Sequence, residues 1–244
     1  MENKRIEISE LKYFCIEAMK ARGMDPKDAE TVAEVLTRTD ALGIHSHGTK
    51  NLHNYMRKIE AGGMELSTHP TILKEGEAFA LVDANNCIGM VSGQFGIELA
   101  IEKAKKCGVS FVVVKNSEHF GAAGYYSLYA AEKGMIAISM SNVDANMSVP
   151  GSKGKVIGNN PVSYAVPAGK YPPVFLDIAL SSVASLKVIK ARHQGTKIPT
   201  TWIVDKDGLP TDDPSHYPEE GAMQPMAAHK GYGLAFMVEL LTGI

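Results

Sequence analysis

Apolar residues fall at helical spacing through the first sixty positions of the chain. Leu11, Phe14, Cys15, Ala18 and Met19 recur at i, i+3, i+4, i+7 and i+8, behind Ser9 as a candidate N-cap, and Gly23 stands where a C-cap glycine belongs. Asp25-Pro26 opens a second helix as cap and first-turn proline. Its apolar face is Ala29, Val32, Ala33 and Leu36, and Gly43 closes it. A third face, Leu52, Tyr55, Met56 and Ile59, runs into Gly62-Gly63. Between the second and third helices lies Ile44-His45-Ser46-His47-Gly48.

From about residue 75 the period changes. Short β-rich runs appear at Ala78 to Val82, Val109 to Lys115, Met135 to Ser141, Val162 to Val166 and Val174 to Ile178. Helical stretches separate several of them, around Gln94 to Lys106, Tyr125 to Lys133 and Ser182 to Ala191. This alternation predicts an α/β region with at least one parallel crossover. Trp202 to Asp205, followed by Lys206-Asp207-Gly208, predicts a strand entering a tight turn. Lys230 to Ile244 reads as a helix that stops with no terminator or polar tail, from which a continuation is expected.

Composition narrows the class. With 244 residues, 45% hydrophobic and 21% charged, the chain is long enough for one large domain or two modest ones. Twenty-five basic and 27 acidic residues leave a net charge of -2 without a basic run, so nucleic acid is not an expected partner. Cys15, Cys87 and Cys107 are too few and too scattered for a disulfide framework or a cysteine zinc site, and read as reduced thiols of a cytosolic protein. The opening MENKRIEISE lacks the apolar core of a signal peptide, and no apolar run approaches the ~20 residues that a bilayer requires. A soluble, cytoplasmic protein without membrane contact is expected.

In open α/β sheets, ligands gather beyond the carboxyl ends of strands. Three such ends hold polar groups here: His119 in Asn116 to Gly121, then Asn142, then Asp177. A histidine, an amide and a carboxylate suit a site that moves a proton and a hydride. Each also has a plainer reading: His119 as a structural hydrogen-bonder, Asn142 as a turn residue, Asp177 as cap for a helix at Ser181-Ser182. Alternate histidines His45 and His47 invite a metal, but no third ligand follows at a familiar spacing, and Ser46 is a candidate cap for the third helix. His47 is preferred as an acid/base and His45 as a surface residue. The chain has no G-x-G-x-x-G. Its glycine turns, Gly121 to Gly124, Gly151 to Lys155 and Lys230 to Gly233, are weaker candidates for a pyrophosphate. A standard Rossmann domain is therefore not supported, and the residues alone point to an α/β enzyme with a histidine-lined site.

Five stretches, taken in order, resemble the malate/L-lactate dehydrogenase family, which includes sulfolactate, ureidoglycolate and diketogulonate oxidoreductases. They are Gly43 to Gly48, Glu118 to Tyr125, Gly158-Asn159-Asn160-Pro161, Leu176 to Ala179 and His229 to Ala235. The resemblance implies an N-terminal helical domain over residues 1–74 and a mixed α/β NAD(P)-binding domain lacking the Rossmann fingerprint over 75–225. Residues 226–244 would begin a helical segment returning to the first domain, and the assembly would be a homodimer. It implies hydride exchange between NAD or NADP and C2 of a small 2-keto or 2-hydroxy acid. One of His47 and His119, with His47 preferred, would be the general acid/base, and the other would hydrogen-bond the substrate. Asn142, Val174, Phe175, Leu176, Asp177, Ile178, Ala179, His229 and Lys230 match cofactor-binding positions. Ser46, Lys50 and Asn51 match substrate-binding ones. No metal is implied.

The chain departs from the family in three places. Asn51, with Lys50 adjacent, stands where an arginine usually grips a substrate carboxylate. Ala227-Ala228 replaces a paired glycine. The family also continues beyond the equivalent of Ile244. Two other readings compete: a catalytically silent or truncated homologue that only binds a small acid or nucleotide, and a metal-dependent hydrolase built on His45, His47 and His119.

Overall fold

A computed structural model describes residues 5–243. It has mixed α/β architecture and separates into two compact units, one running to Ala137 with Ala165–Val174 added, the other comprising Ile138–Tyr164 and the chain from Phe175 onward.

In the first unit, α1 (Ile8–Lys20) packs on α2 (Pro26–Ala41). The start of α2 is as the sequence predicts: the Asp25 carboxylate accepts the Lys27 amide at 2.8 Å and Pro26 occupies the first turn. Ala29, Val32, Ala33 and Leu36 are fully buried. The start of α1 differs, because Glu7 and not Ser9 is its N-cap, and no side chain caps it. Its buried seam is Cys15 and Met19, while Phe14 is 61% exposed. A helix that covers a single neighbour buries a narrow stripe, and Phe14 lies about 100° round from Cys15. Helix α3 (Leu52–Glu60) buries Leu52 and Tyr55 in the same core.

Strands β1 (Thr71–Glu75), β2 (Phe79–Asp83) and β3 (Phe111–Lys115) form a sheet in chain order. Strand β1, exposed at every residue, has no alternation by which it could be recognised in the sequence. Strand β2 pairs antiparallel with β1 and parallel with β3, in unbroken register from Phe79 opposite Phe111 to Asp83 opposite Lys115. The expected crossover between β2 and β3 is α4 (Gly89–Cys107), which lies so close that a Cβ on Gly96 would sit 3.0 Å from Val114. Helix α5 (Ala123–Glu132) follows β3 and buries most of its length.

The second sheet takes β4 (Ala137–Met140), β5 (Val162–Ala168) and β6 (Tyr171–Ile178), also in chain order. The second unit contains α6 (Ser185–Gln194), a small sheet of β7 (Ile203–Val204), β8 (Pro210–Thr211) and β9 (Ala222–Met223) in the order β8-β7-β9, and α7 (His229–Thr242). Its core gathers Met147, Leu180, Val188, Ile203, Met223 and Ala235, all fully buried. Helix α6 starts later than expected, after Ala184 and without a side-chain cap, so Asp177 is a β6 residue and not a helix cap. Buried Asn160 ties the Gly158–Pro161 turn to α7. Its Nδ2 donates to the Ala235 carbonyl at 2.9 Å and to Glu239 at 2.8 Å, and its Oδ1 accepts the Val143 amide at 3.1 Å. Among the described residues no helix is long and apolar enough to cross a membrane.

The turn before α7 is strained. Ala227 and Ala228 both have positive φ, 49° and 53°, and Ala228 combines this with ψ -119°. That combination is easy for glycine and costs an alanine about 1–3 kcal/mol. Ala228→Gly is therefore expected to stabilise the protein by about 1 kcal/mol and raise Tm by about 2–4 °C. A calorimetric Tm that stays level or falls would refute the strain.

Candidate active site

Two loops of the first unit build the site. The first follows α2 and carries His45 to Gly48. Asp40, in the last turn of α2, organises it: its carboxylate accepts the Thr49 amide at 2.8 Å and the Thr49 hydroxyl at 2.6 Å, and it meets His45 Nδ1 at 3.0 Å. A Cβ on Gly48 would fall 2.1 Å from an Asp40 oxygen, so a larger residue there would push the Asp40 carboxylate off Thr49. Within the loop the Ser46 hydroxyl meets His47 Nδ1 at 2.8 Å, and Asn51 Nδ2 donates to the Ser46 carbonyl at 2.7 Å. Ser46 is thus a partner of His47 and not the cap of α3, which is entered through a 3-10 turn at Thr49–Asn51.

The second loop joins β3 to α5. Asn116 takes a left-handed φ of 53° and donates from Nδ2 to both Asp83 oxygens at 3.0 Å. Ser117 meets Ser92 of α4 through their hydroxyls at 2.8 Å, and the Tyr126 hydroxyl donates to the Phe120 carbonyl. The start of α4 presses on this loop where Gly89 lies: a Cβ there would stand 1.9 Å from the Glu118 carbonyl oxygen and 2.6 Å from the His119 carbonyl carbon. From α3, Lys58 pairs with Glu118.

The two loops bring His47 and His119 together. Their rings stack with centroids 5.8 Å apart and planes 17° from parallel. Buried Tyr55 of α3 places its hydroxyl 2.6 Å from His119 Nδ1, and the Gly121 amide donates to the same nitrogen at 3.4 Å. His119 is an exposed residue by surface area, yet Tyr55, His47 and the loop backbone crowd its ring. That desolvation, helped by His47 and Lys58 and opposed by Glu118, pushes its pKa down from 6.5 to about 4. Burial likewise pushes the Tyr55 hydroxyl well up, so it stays protonated. The ring pair therefore offers a neutral imidazole beside a second imidazole whose Nδ1 partner is a hydroxyl, which suits hydrogen bonding combined with proton transfer.

Of the other residues singled out in the sequence, Lys50 is exposed in the 3-10 turn and His45 is exposed on Asp40. Asn142 follows β4 and lies near the end of α7, where a Cβ on Gly243 would stand 3.1 Å from its Nδ2. Val174 to Ile178 belong to β6, with Val174 and Leu176 exposed, and Ala179 follows directly. His229 and Lys230 are exposed in the first turn of α7, which no side chain caps. Gly231 there cannot carry a side chain, since its Cβ would be 2.2 Å from the Met226 carbonyl, and the Cβ position of Gly233 faces open space. The Lys230 and Gly231 amides donate to the Ala227 and Met226 carbonyls, so what this helix start presents to a phosphate is its positive dipole end and the exposed Lys230. Among the described residues no three His, Cys, Asp or Glu side chains converge as a metal site would require. A cleft of about 350 Å³ beside the end of α6 is lined by the Lys197–Asp212 pair and Arg192, and contains none of these residues. Three residues essential to the site's geometry, Asp40, Tyr55 and Gly89, were not singled out in the sequence for these roles. Of them only Tyr55 carried a signal, as part of an apolar helix face.

The family model for malate/L-lactate dehydrogenase matches residues 6–244. Malate dehydrogenase from Pyrococcus abyssi is 38% identical over 247 residues, covering 98% of this chain and 68% of the relative. L-sulfolactate dehydrogenase from Methanocaldococcus jannaschii is 38% identical over 233 residues, covering 96% and 67%. Among solved structures, malate dehydrogenase from Entamoeba histolytica superposes with a TM-score of 0.92 at 31% identity, covering 97% of this chain and 69% of that one.

Two outcomes are expected of this geometry. Gly89→Ala should cost about 1–3 kcal/mol of stability, because backbone and not a flexible side chain blocks the added methyl; an unchanged denaturant midpoint would contradict the close approach. The second concerns pH. A histidine with a depressed pKa makes the folded state bind fewer protons than the unfolded one. The stability that His119 contributes is therefore complete above about pH 6.5 and is lost as pH falls towards about 4. Between those values Tm of the wild type should fall faster than Tm of His119→Gln, and parallel slopes would refute the shift.

Proposed function

Since this chain belongs to the malate/L-lactate dehydrogenase family, we propose that it reduces a small 2-keto acid, or oxidises the matching 2-hydroxy acid, with NAD or NADP as the hydride partner. The observation that carries the reading is the stacked His47–His119 pair, anchored at both Nδ1 atoms.

The reduced nicotinamide, when bound, supplies the hydride that C2 receives. The chain's own groups do the rest. Of the two imidazoles, His47 hands a proton to the C2 oxygen during reduction and takes it back during oxidation, while His119 hydrogen-bonds that oxygen. Ser46 keeps the His47 ring in orientation, and Asn51 holds the Ser46 backbone. Lys50, exposed on the turn beside them, supplies the positive charge for the substrate carboxylate. On this reading the α/β part of the chain, residues 75–225, carries the dinucleotide. Asn142 and the β6 stretch Val174 to Ala179 contact it, and the first turn of α7, with His229 and Lys230, meets its phosphates. The enzyme works as a cytoplasmic homodimer. Exposed apolar side chains such as Tyr13 and Phe14 are compatible with such association.

The direct test follows absorbance at the reduced-nicotinamide band with NADH or NADPH and a panel of 2-keto acids, among them pyruvate, oxaloacetate and phenylpyruvate. Decay with at least one pair is expected, and His47→Ala should lower its rate by about 10² or more. No decay with any pair would overturn the proposal, and an unimpaired His47→Ala would overturn the role given to that residue.

A further inference from the structure

The two histidines are not equivalent, and their Nδ1 partners say why. An amide N–H is only ever a donor. The Gly121 amide points at His119 Nδ1, so that nitrogen must present its lone pair. The Tyr55 hydroxyl, 2.6 Å from the same atom, then has to donate as well. A neutral imidazole with Nδ1 as acceptor carries its proton on Nε2. We propose that Tyr55 and the Gly121 amide lock His119 in this Nε2–H tautomer, so that His119 is a permanent hydrogen-bond donor, Tyr55 is a positioning residue, and His47 alone exchanges the proton.

Protonating His119 would place the second proton on Nδ1, where it would displace the Gly121 amide and force the Tyr55 hydroxyl to turn from donor to acceptor. The groups around the ring are His47 from the first loop, Lys58 and Tyr55 from α3, and Glu118 from its own loop; the two bases oppose a positive charge there and Glu118 only partly offsets them. At His47 the Nδ1 partner is the Ser46 hydroxyl, whereas His119 Nδ1 faces the Gly121 amide as well as a hydroxyl. A hydroxyl accepts from Nδ1–H or donates to Nδ1, and the bond survives when the ring passes between neutral and cationic forms. During reduction, C2 gains the hydride and the carbonyl π bond breaks onto oxygen. That oxygen takes the Nε2 proton of cationic His47, which is left neutral with Nδ1–H donated to Ser46. Oxidation reverses each transfer. The assignment of these roles rests on the proposed hydride-transfer reading, whereas the tautomer does not.

The test uses the intact chain with ¹⁵N-labelled histidine. Long-range proton–nitrogen spectra distinguish protonated from bare ring nitrogens, and His119→Gln assigns the peaks. The wild type should show His119 with a protonated Nε2 and a bare Nδ1 from pH 8 down to pH 5. Tyr55→Phe, checked for folding by the remaining peaks, should mix the tautomers and raise the His119 protonation constant about tenfold or more. In turnover, His119→Gln, whose amide N–H can stand in for Nε2–H, should lose about tenfold and mainly in KM, while His47→Gln loses about 10² or more in kcat. A proton on Nδ1 in the wild type would overturn the proposal. So would a Tyr55→Phe spectrum that keeps the wild-type tautomer and titration, or a His119→Gln enzyme as impaired in kcat as His47→Gln. Should Tyr55→Phe fail to fold, the wild-type spectrum and the two glutamine variants still decide. The spectra need neither substrate nor cofactor, so a protein without turnover but with the locked tautomer would refute the reaction and leave the lock standing.

Discussion

Two imidazoles stacked 5.8 Å apart repel each other once both are protonated. At an effective dielectric of about 20 the repulsion is roughly 3 kcal/mol before the open edge of the pair is screened by water. A site built this way works near neutral pH only if one ring stays neutral, and the surrounding structure chooses which. Desolvation of its ring, helped by His47 and Lys58, holds His119 neutral, and the donors on Nδ1 fix where its one proton lies, while Ser46 gives His47 a hydroxyl partner that can donate or accept. The choice is made by helix α3, which brings both Tyr55 and Lys58 to the β3–α5 loop.

Holding the rings face to face is a backbone problem before it is a side-chain one. Each histidine lies on a short loop, and a loop is positioned by whatever its backbone can touch. Gly48 lets the first loop close over Asp40, and Gly89 lets the start of α4 rest against the Glu118 and His119 carbonyls. At Gly89 a single methyl group would collide with backbone that cannot give way cheaply, and at Gly48 it would displace the Asp40 carboxylate that organises the loop. Around these contacts the polar groups are matched in pairs: Asp40 with Thr49, Asp83 with Asn116, Ser92 with Ser117. Elements distant in sequence thus hold two loops at ring-stacking distance.

The elements legible in the sequence were those whose signal is local. Asp25-Pro26 announced the start of α2 and its apolar face was fully buried, because cap, proline and period all lie within one helix. The β-rich runs and the crossover were legible for the same reason. Strand β1 was not, since TILKE pairs along an edge with every side chain exposed, and neither was the outward turn of Phe14. The histidines could be named from their motifs, but Asp40, Gly89 and the role of Tyr55 could not. Each acts through a contact that only the fold creates: Tyr55 reaches His119 across 64 positions of chain. The composition of α3 said only that Tyr55 would be buried.

Asn51 shows how the same logic bears on substrate choice. A guanidinium at this position would reach outward as a planar, two-pronged grip on a carboxylate, fixing the substrate's rotation as well as its place. The asparagine is too short for that, and its amide N–H is turned inward to the Ser46 carbonyl, where it steadies the loop that carries His47. On the proposed reading, the charge that meets the carboxylate then comes from Lys50, a flexible and strongly hydrated point charge that imposes little angular preference. Orientation of the keto group would fall instead to the two histidines, with His119 as fixed donor setting the direction of the oxygen. Such a site discriminates by the position of the C2 oxygen more than by the geometry of the acid group, and so tolerates a wider range of side chains on the 2-keto acid than a bidentate grip would allow.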